Sequence, residues 1–143
     1  MLYSKTCEHG IRALSYLTAR QPAGELCLVD EIAEAEGIPR SFTSKILGDL
    51  VRAGMLTSSR GPGGGYALAR DPNVVSLLDI VEIIDGARQV DRCAVGLDAC
   101  NETAPCPLHD KFAPLRRSIR AYLEGTSLAE MAAGLERKRA LLK

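Results

Sequence analysis

Residues 28–69 read LVDEIAEAEGIPRSFTSKILGDLVRAGMLTSSRGPGGGYALA, and this stretch decides the fold. Val29, Ile32 and Ala33 form a short apolar face at helical spacing. Asp30 and Glu31 fall in its first turn, where the helix dipole favours acids. Gly37 breaks the run, and Pro39 allows a second helix to start just behind it. In that helix Ile46, Leu47, Leu50 and Val51 share one side. Ser41, Ser44, Lys45, Gly48 and Arg52 share another, and all are small, polar or basic. Gly54 stands where helices usually end. Residues 56–59 and 66–69 are two strand candidates, joined by the hairpin tip Arg60-Gly61-Pro62-Gly63-Gly64-Gly65. This order predicts a mainly α fold with a small β-hairpin wing, a winged helix-turn-helix. Such a fold lays its second helix in a DNA major groove with the hairpin beside it.

On either side of this stretch the pattern stays helical. Tyr3, Cys7, Ile11, Leu14 and Leu17 predict an amphipathic helix over 3–19, and Leu26 and Leu28 a short strand that pairs with the wing. Ser76 and Asp79 form a capping box ahead of Leu77, Leu78, Val81 and Ile84, and Gly86 stops that helix. Residues 87–107 lose all apolar periodicity, a long loop for a compact domain. Phe112, Leu115, Ile119 and Leu123 mark a helix ending at Gly125, with Pro114 requiring it to start nearby or to bend. Ser127 and Glu130 cap a last helix carrying Leu128, Met131, Leu135 and Leu142. The chain therefore divides into a DNA-binding domain (1–86), a cysteine-bearing sensor loop (87–109), and a dimerisation helix with a C-terminal helix (110–143). The late helices carry more apolar face than a small winged domain covers, so a two-fold homodimer through 112–124 is expected.

The 143 residues suffice for one domain with a core and one extra arm. With 46% apolar and 25% charged residues the composition is that of an ordinary globular protein. No apolar run reaches the roughly 18 residues of a membrane helix, so no membrane partner is expected. The opening Met1-Leu2-Tyr3-Ser4-Lys5 lacks a signal-peptide core, and a cytoplasmic protein is expected. Five cysteines, an odd number, point to metal or redox chemistry rather than a secreted disulfide framework. The net charge is zero, but it is sorted into blocks: −5 over 21–39, +4 over 40–70, −6 over 71–110 and +5 over 111–143. A basic block on the second helix and wing is what phosphate contact requires, although a solvated mixed surface would carry the same charges.

The glycines of the wing do not fit a nucleotide loop. Tyr66 stands where a dinucleotide fingerprint needs its last glycine, and no Gly-Lys-Ser/Thr follows. Glycines do let a backbone approach phosphates closely, and Arg60 at the base can enter a minor groove. The candidate DNA contacts are Ser4, Lys5, Arg40, Ser41, Thr43, Ser44, Lys45, Arg60, Gly61, Pro62, Gly63 and Gly64. Cys93, Cys100 and Cys106 form the second signal. Three thiols in one polar loop fit soft-metal ligation, with His109 as a fourth ligand. Free thiols, a disulfide switch and a structural zinc are the alternatives. Cys7 and Cys27 read as small apolar residues. No nucleophile elbow, HExxH or phosphate loop occurs, so an enzyme is not expected.

Together these residues resemble the Rrf2 family of bacterial transcription regulators. The likeness runs over nearly the whole chain and is most specific at Arg60-Gly61-Pro62-Gly63-Gly64-Gly65-Tyr66, at Gly37-Ile38-Pro39-Arg40-Ser41-Phe42 and at the three loop cysteines. The resemblance implies a dimeric winged-helix regulator, of repressor type, on a double-stranded DNA operator. It also implies an iron–sulfur cluster, 2Fe–2S or 4Fe–4S, on Cys93, Cys100 and Cys106, whose state sets operator affinity in response to iron, nitric oxide or redox conditions. For the fourth ligand, one branch uses a histidine three residues after the last cysteine, which matches His109. Another uses an acid in the first helix of the partner subunit, which matches Glu8. A thiol- or zinc-based redox regulator without a cluster is the rival reading.

Overall fold

The computed structural model describes residues 2–20, 25–97 and 102–143. Six helices and one hairpin follow in the order α1 (Lys5–Arg20), α2 (Val29–Glu36), α3 (Arg40–Arg52), β1 (Leu56–Ser59), β2 (Gly65–Leu68), α4 (Leu77–Asp85), α5 (His109–Gly125) and α6 (Leu128–Leu141). The expected winged helix-turn-helix is α2, α3 and the β1–β2 hairpin.

The local signals act through the backbone as their chemistry requires. Gly37 takes a left-handed conformation, φ 62°, and its N–H closes α2 onto the carbonyls of Ala33 and Glu34. Ser76 with Asp79 and Ser127 with Glu130 each form a reciprocal capping box. In the hairpin Leu56 faces Leu68 and Ser59 faces Gly65. The expected extra strand at 26–28 reduces to one residue. Cys27 exchanges both backbone hydrogen bonds with Tyr66, at 2.9 and 2.8 Å. Gly65 is required by that approach, because a Cβ there would lie 2.5 Å from the Cys27 carbonyl oxygen. Pro114 sits inside α5, whose first turn lies N-terminal to it, so one helix hydrogen bond to Asp110 is missing. Leu142, expected on the last apolar face, is exposed beyond the end of α6.

The core is built around α1. Cys7, Leu14 and Leu17 are fully buried and Ile11 nearly so. Against this face pack α2, α3, α4 and α6. Ile32, Leu47, Leu50, Met55, Ile80, Leu123 and Leu128 complete one continuous cluster. The chain just before α4 pairs with the α5–α6 turn: Leu77 N–H donates to the Thr126 carbonyl at 3.0 Å and Leu128 N–H to the Val75 carbonyl at 2.8 Å. The last helix is thereby fixed to the winged domain. A charged clasp does the same on the other side. The Glu36 side chain, 1% exposed at the end of α2, accepts from Arg12 of α1 at 3.1 Å and from Arg139 of α6 at 2.7 Å. Arg12 also donates to the Glu36 carbonyl.

Glu36→Ala is expected to lower the unfolding free energy in urea by about 2 kcal/mol. That is below the usual cost of breaking a buried pair, because both arginines stay partly exposed and can turn to water. A change under about 0.5 kcal/mol would place the clasp among surface pairs of little weight.

Candidate functional site

The side of α3 opposite the core is open. Ser41 and Lys45 are exposed, Ser44 is half-buried, and among the described residues no acid lies within ion-pair distance of Lys45. Gly48 keeps this face flat: a Cβ there would meet only the Arg52 guanidinium, at 3.6 Å. Arg40 pairs with Asp30 in an exposed contact at 2.5 Å, the kind of pair that is worth little and is easily exchanged for a phosphate. Thr43 is corrected. It is 1% exposed, and its hydroxyl donates to the Pro39 carbonyl at 3.1 Å. It braces the turn and does not stand on the open face. Phe42, to which the spacing of apolar residues assigns no face, is exposed.

The wing presents a narrower set than expected. Arg60, Gly61, Pro62 and Gly63 are exposed at its tip, with Gly61 and Gly63 at positive φ. Gly64 is buried. Its N–H donates to the Gly61 carbonyl at 2.9 Å, and a Cβ would lie 2.3 Å from the Ser59 carbonyl oxygen. Gly64 therefore closes the turn and has no N–H to offer a phosphate. Ser4 is also corrected. Its hydroxyl accepts the Cys7 N–H at 3.0 Å, capping α1, and donates to the Asp85 carboxylate. Lys5 is exposed and paired with Glu8 at 2.9 Å. Lys5, His9, Phe42 and Lys45 line an open groove of about 510 Å³ between α1, α3 and α4, with Asp49 and Asp85 in its wall.

The loop after α4 brings two of the three expected thiols together. Cys93 is buried and Cys106 half-buried, both are free thiols, and the Cys106 side chain hydrogen-bonds Cys93. The backbone N–H groups of Val95 and Leu97, then Cys106 and the N–H of Gly96, hold the Cys93 thiol below its ordinary range against the opposing effect of burial. Gly96 at φ 81° makes the turn that lets these N–H groups converge. Cys100 lies outside the described residues. His109 heads α5 and its N–H donates to the Cys106 carbonyl at 3.0 Å. Glu8 sits on the first turn of α1. Among the described residues of one chain no three His, Cys, Asp or Glu side chains stand close enough to hold one metal ion.

A cavity of about 400 Å³ adjoins the loop, lined by Val90, Arg92, Cys93, Phe112, Arg116 and Ile119 among others. One guanidinium nitrogen of Arg116 is buried with no hydrogen-bond partner among the described residues. Arg120 of α5 ties the loop to the winged domain, contacting Asp91 at 3.2 Å and Glu82 of α4 at 3.9 Å.

Comparison with known proteins extends this geometry. Residues 3–134 match the family model Rrf2, described as "Iron-dependent Transcriptional regulator". An HTH-type transcriptional regulator of Aquifex aeolicus is 32% identical over 133 residues, spanning 92% of this chain and 91% of that one. Among solved structures, CymR, the global cysteine regulator of B. subtilis, is similar with a TM-score of 0.77 and 19% identity, covering 91% of this chain and 95% of its own. The T. potens IscR structure gives a TM-score of 0.72 and 24% identity, covering 94% and 88%. No helix among the described residues is long and apolar enough to cross a membrane. The fold is that of the winged-helix regulators, the relatives are transcriptional regulators rather than enzymes, and the chain belongs to the Rrf2 family.

Proposed function

We propose that this chain is a homodimeric DNA-binding repressor whose operator affinity is set at the loop holding Cys93 and Cys106, through an iron–sulfur cluster. The observation that carries the reading is the Cys93–Cys106 pair beneath converging backbone N–H groups, joined through α4 and α1 to an open recognition helix. The donor set fits the group. Thiolates are the usual ligands of such clusters, and N–H donors facing sulfur favour the anionic form. Cys93 and Cys106 would hold the cluster with Cys100 as the third thiolate, and His109 or Glu8 of the partner subunit as the fourth ligand. Bound there, the cluster would supply a redox- and gas-sensitive centre.

The chain's own residues supply the rest. Ser41, Ser44, Lys45 and Arg40 face the major groove. Arg60 and the exposed tip Gly61-Pro62-Gly63 lie along the backbone beside it. Leu108, which caps α5, and Leu115 and Tyr122 within it are exposed at seven-residue spacing, an apolar stripe that supports the two-fold contact. A shift of the loop at 93–106 is transmitted through Arg120 and α4 to α1, which carries α3. Half-sites lie about one DNA turn apart, so the spacing of the two recognition helices decides affinity.

The same thiol pair carries a second reading. Two free thiols in hydrogen-bond contact can pass two electrons and two protons to a small-molecule disulfide, which is reduced to two thiols as the Cys93–Cys106 disulfide forms; the switch would then be thiol-based with no cluster.

Protein purified without oxygen is expected to absorb in the visible and to contain iron and sulfide, with both lost in Cys93→Ser and Cys106→Ser. A colourless wild type without iron favours the thiol switch. His109→Ala and Glu8→Ala then separate the two branches of ligation. Lys45→Ala and Arg60→Ala are each expected to weaken duplex binding and to reduce the slope of log affinity against log salt by about 1. Leu115→Glu is expected to convert a dimer into a monomer in sedimentation equilibrium; an unchanged mass would remove α5 from the interface.

A further inference from the structure

Phe42 is 58% exposed in the first turn of α3, while Thr43, Ile46, Leu47 and Leu50 of the same helix turn into the core. Leaving most of a phenylalanine ring in water forfeits the burial that would otherwise stabilise the fold. Its surroundings indicate what covers it. Arg40 and Ser41 precede Phe42 in the exposed first turn of α3, and Lys5, His9, Lys45, Asp49 and Asp85 line the groove that it borders. A single apolar ring beside the hydroxyl of Ser41 and the ammonium of Lys45, over a groove that also holds charges of both signs, does not match the apolar face of another protein. It does match a polyanion that presents one apolar group. In the major groove that group is the thymine C5-methyl, which is read by apolar contact, with phenylalanine among the side chains suited to it. The position along the helix agrees, since the N-terminal residues of a recognition helix are those that reach base edges.

We propose that Phe42 contacts the C5-methyl of one thymine in each operator half-site and so sets part of the base preference of α3. This rests on the DNA-binding reading above. It adds to the polar contacts of Ser41 and Lys45 a discrimination that they cannot make, because neither can tell thymine from uracil.

The test uses a duplex recovered by selection of the full-length wild-type chain on a randomised library. Each thymine is replaced in turn by deoxyuridine, which removes only the methyl. At one thymine per half-site the wild type is expected to lose about fourfold in affinity, the worth of roughly 0.8 kcal/mol for one carbon taken out of water. Phe42→Ala is expected to bind the thymine duplex at least fourfold more weakly and to show no further loss on the deoxyuridine duplex. Phe42→Leu is expected to keep part of the discrimination. Unchanged thermal unfolding of both variants confirms that the ring acts on the duplex and not on the core. A wild type indifferent to every replacement, or a Phe42→Ala chain that keeps the full sensitivity, overturns the proposal and leaves the DNA reading standing. Dissociation of the dimer by Phe42→Ala assigns the ring to an interface between copies and also overturns it. Failure of the wild type to enrich any sequence overturns the DNA reading and this proposal with it.

Discussion

One helix cannot be moved without moving the rest. The apolar face of α1, from Cys7 to Leu17, is the surface on which α2, α3, α4 and α6 all bury their own. Each of those helices has too little apolar area to be stable alone, and the recognition helix is held by α1 together with α2, β1 and α4. Burial also fixes the chemistry of this helix. The Cys7 thiol is pushed up to about 12, by desolvation first and then by Asp85 and Glu8, which makes it an inert core residue. Asp85 meanwhile accepts from both the N–H and the hydroxyl of Ser4, fastening the end of α4 to the start of α1. The thiol loop leaves the chain just beyond that point. On the proposed reading, a change in the loop therefore acts on the helix that carries the DNA-facing surface.

The surface itself is produced by sorting rather than by an overall basic charge. The whole chain is neutral, and many of its charges are spent internally: Glu36 between two arginines, Arg120 among three acids, Arg20 on Glu136. Lys45 and Arg60 are left facing solvent, one on the recognition helix and one at the wing. A neutral protein with a few well-placed cations binds DNA weakly where the sequence is wrong, because only a few counterions are released. On the proposed reading, selectivity then falls on base-edge contacts along α3, where Ser41, Phe42 and Lys45 stand.

Much of this was legible in the sequence because it is local. Gly37, the two capping boxes and the hairpin glycines act within a few residues, and each element they imply forms. The errors come from contacts that residue type does not announce, some within one turn and some across the fold. Thr43 looks polar, yet its hydroxyl is satisfied by the carbonyl of Pro39 and it can be buried. Gly64 looks like its neighbours, yet the turn leaves no room for a Cβ. Glu36 belongs to an acidic run but lies in the interior, because Arg12 and Arg139 arrive from residues far away in the chain. Phe42 follows the opposite logic: hydrophobic by type, it faces outward because Ile46 and Leu47 already fill the side turned to the core. Spacing alone did not define the ligand set either. Cys93 and Cys106 meet across a long loop, and His109, three residues on, is carried by the start of α5.

The account stands on coupling between the thiol loop and the open face of α3, and coupling is a difference in affinity between two states of one chain. The most direct measurement is the affinity of the wild-type protein for its selected duplex, determined without oxygen at fixed salt. It is made on the chain as purified, and again after its iron has been removed by a chelator or, if no iron is present, after its thiols have been oxidised. The affinity is expected to differ by about tenfold or more between the two states, within the usual range of 1–3 kcal/mol for such linkage. Equal affinities would show that Cys93 and Cys106 do not govern DNA binding.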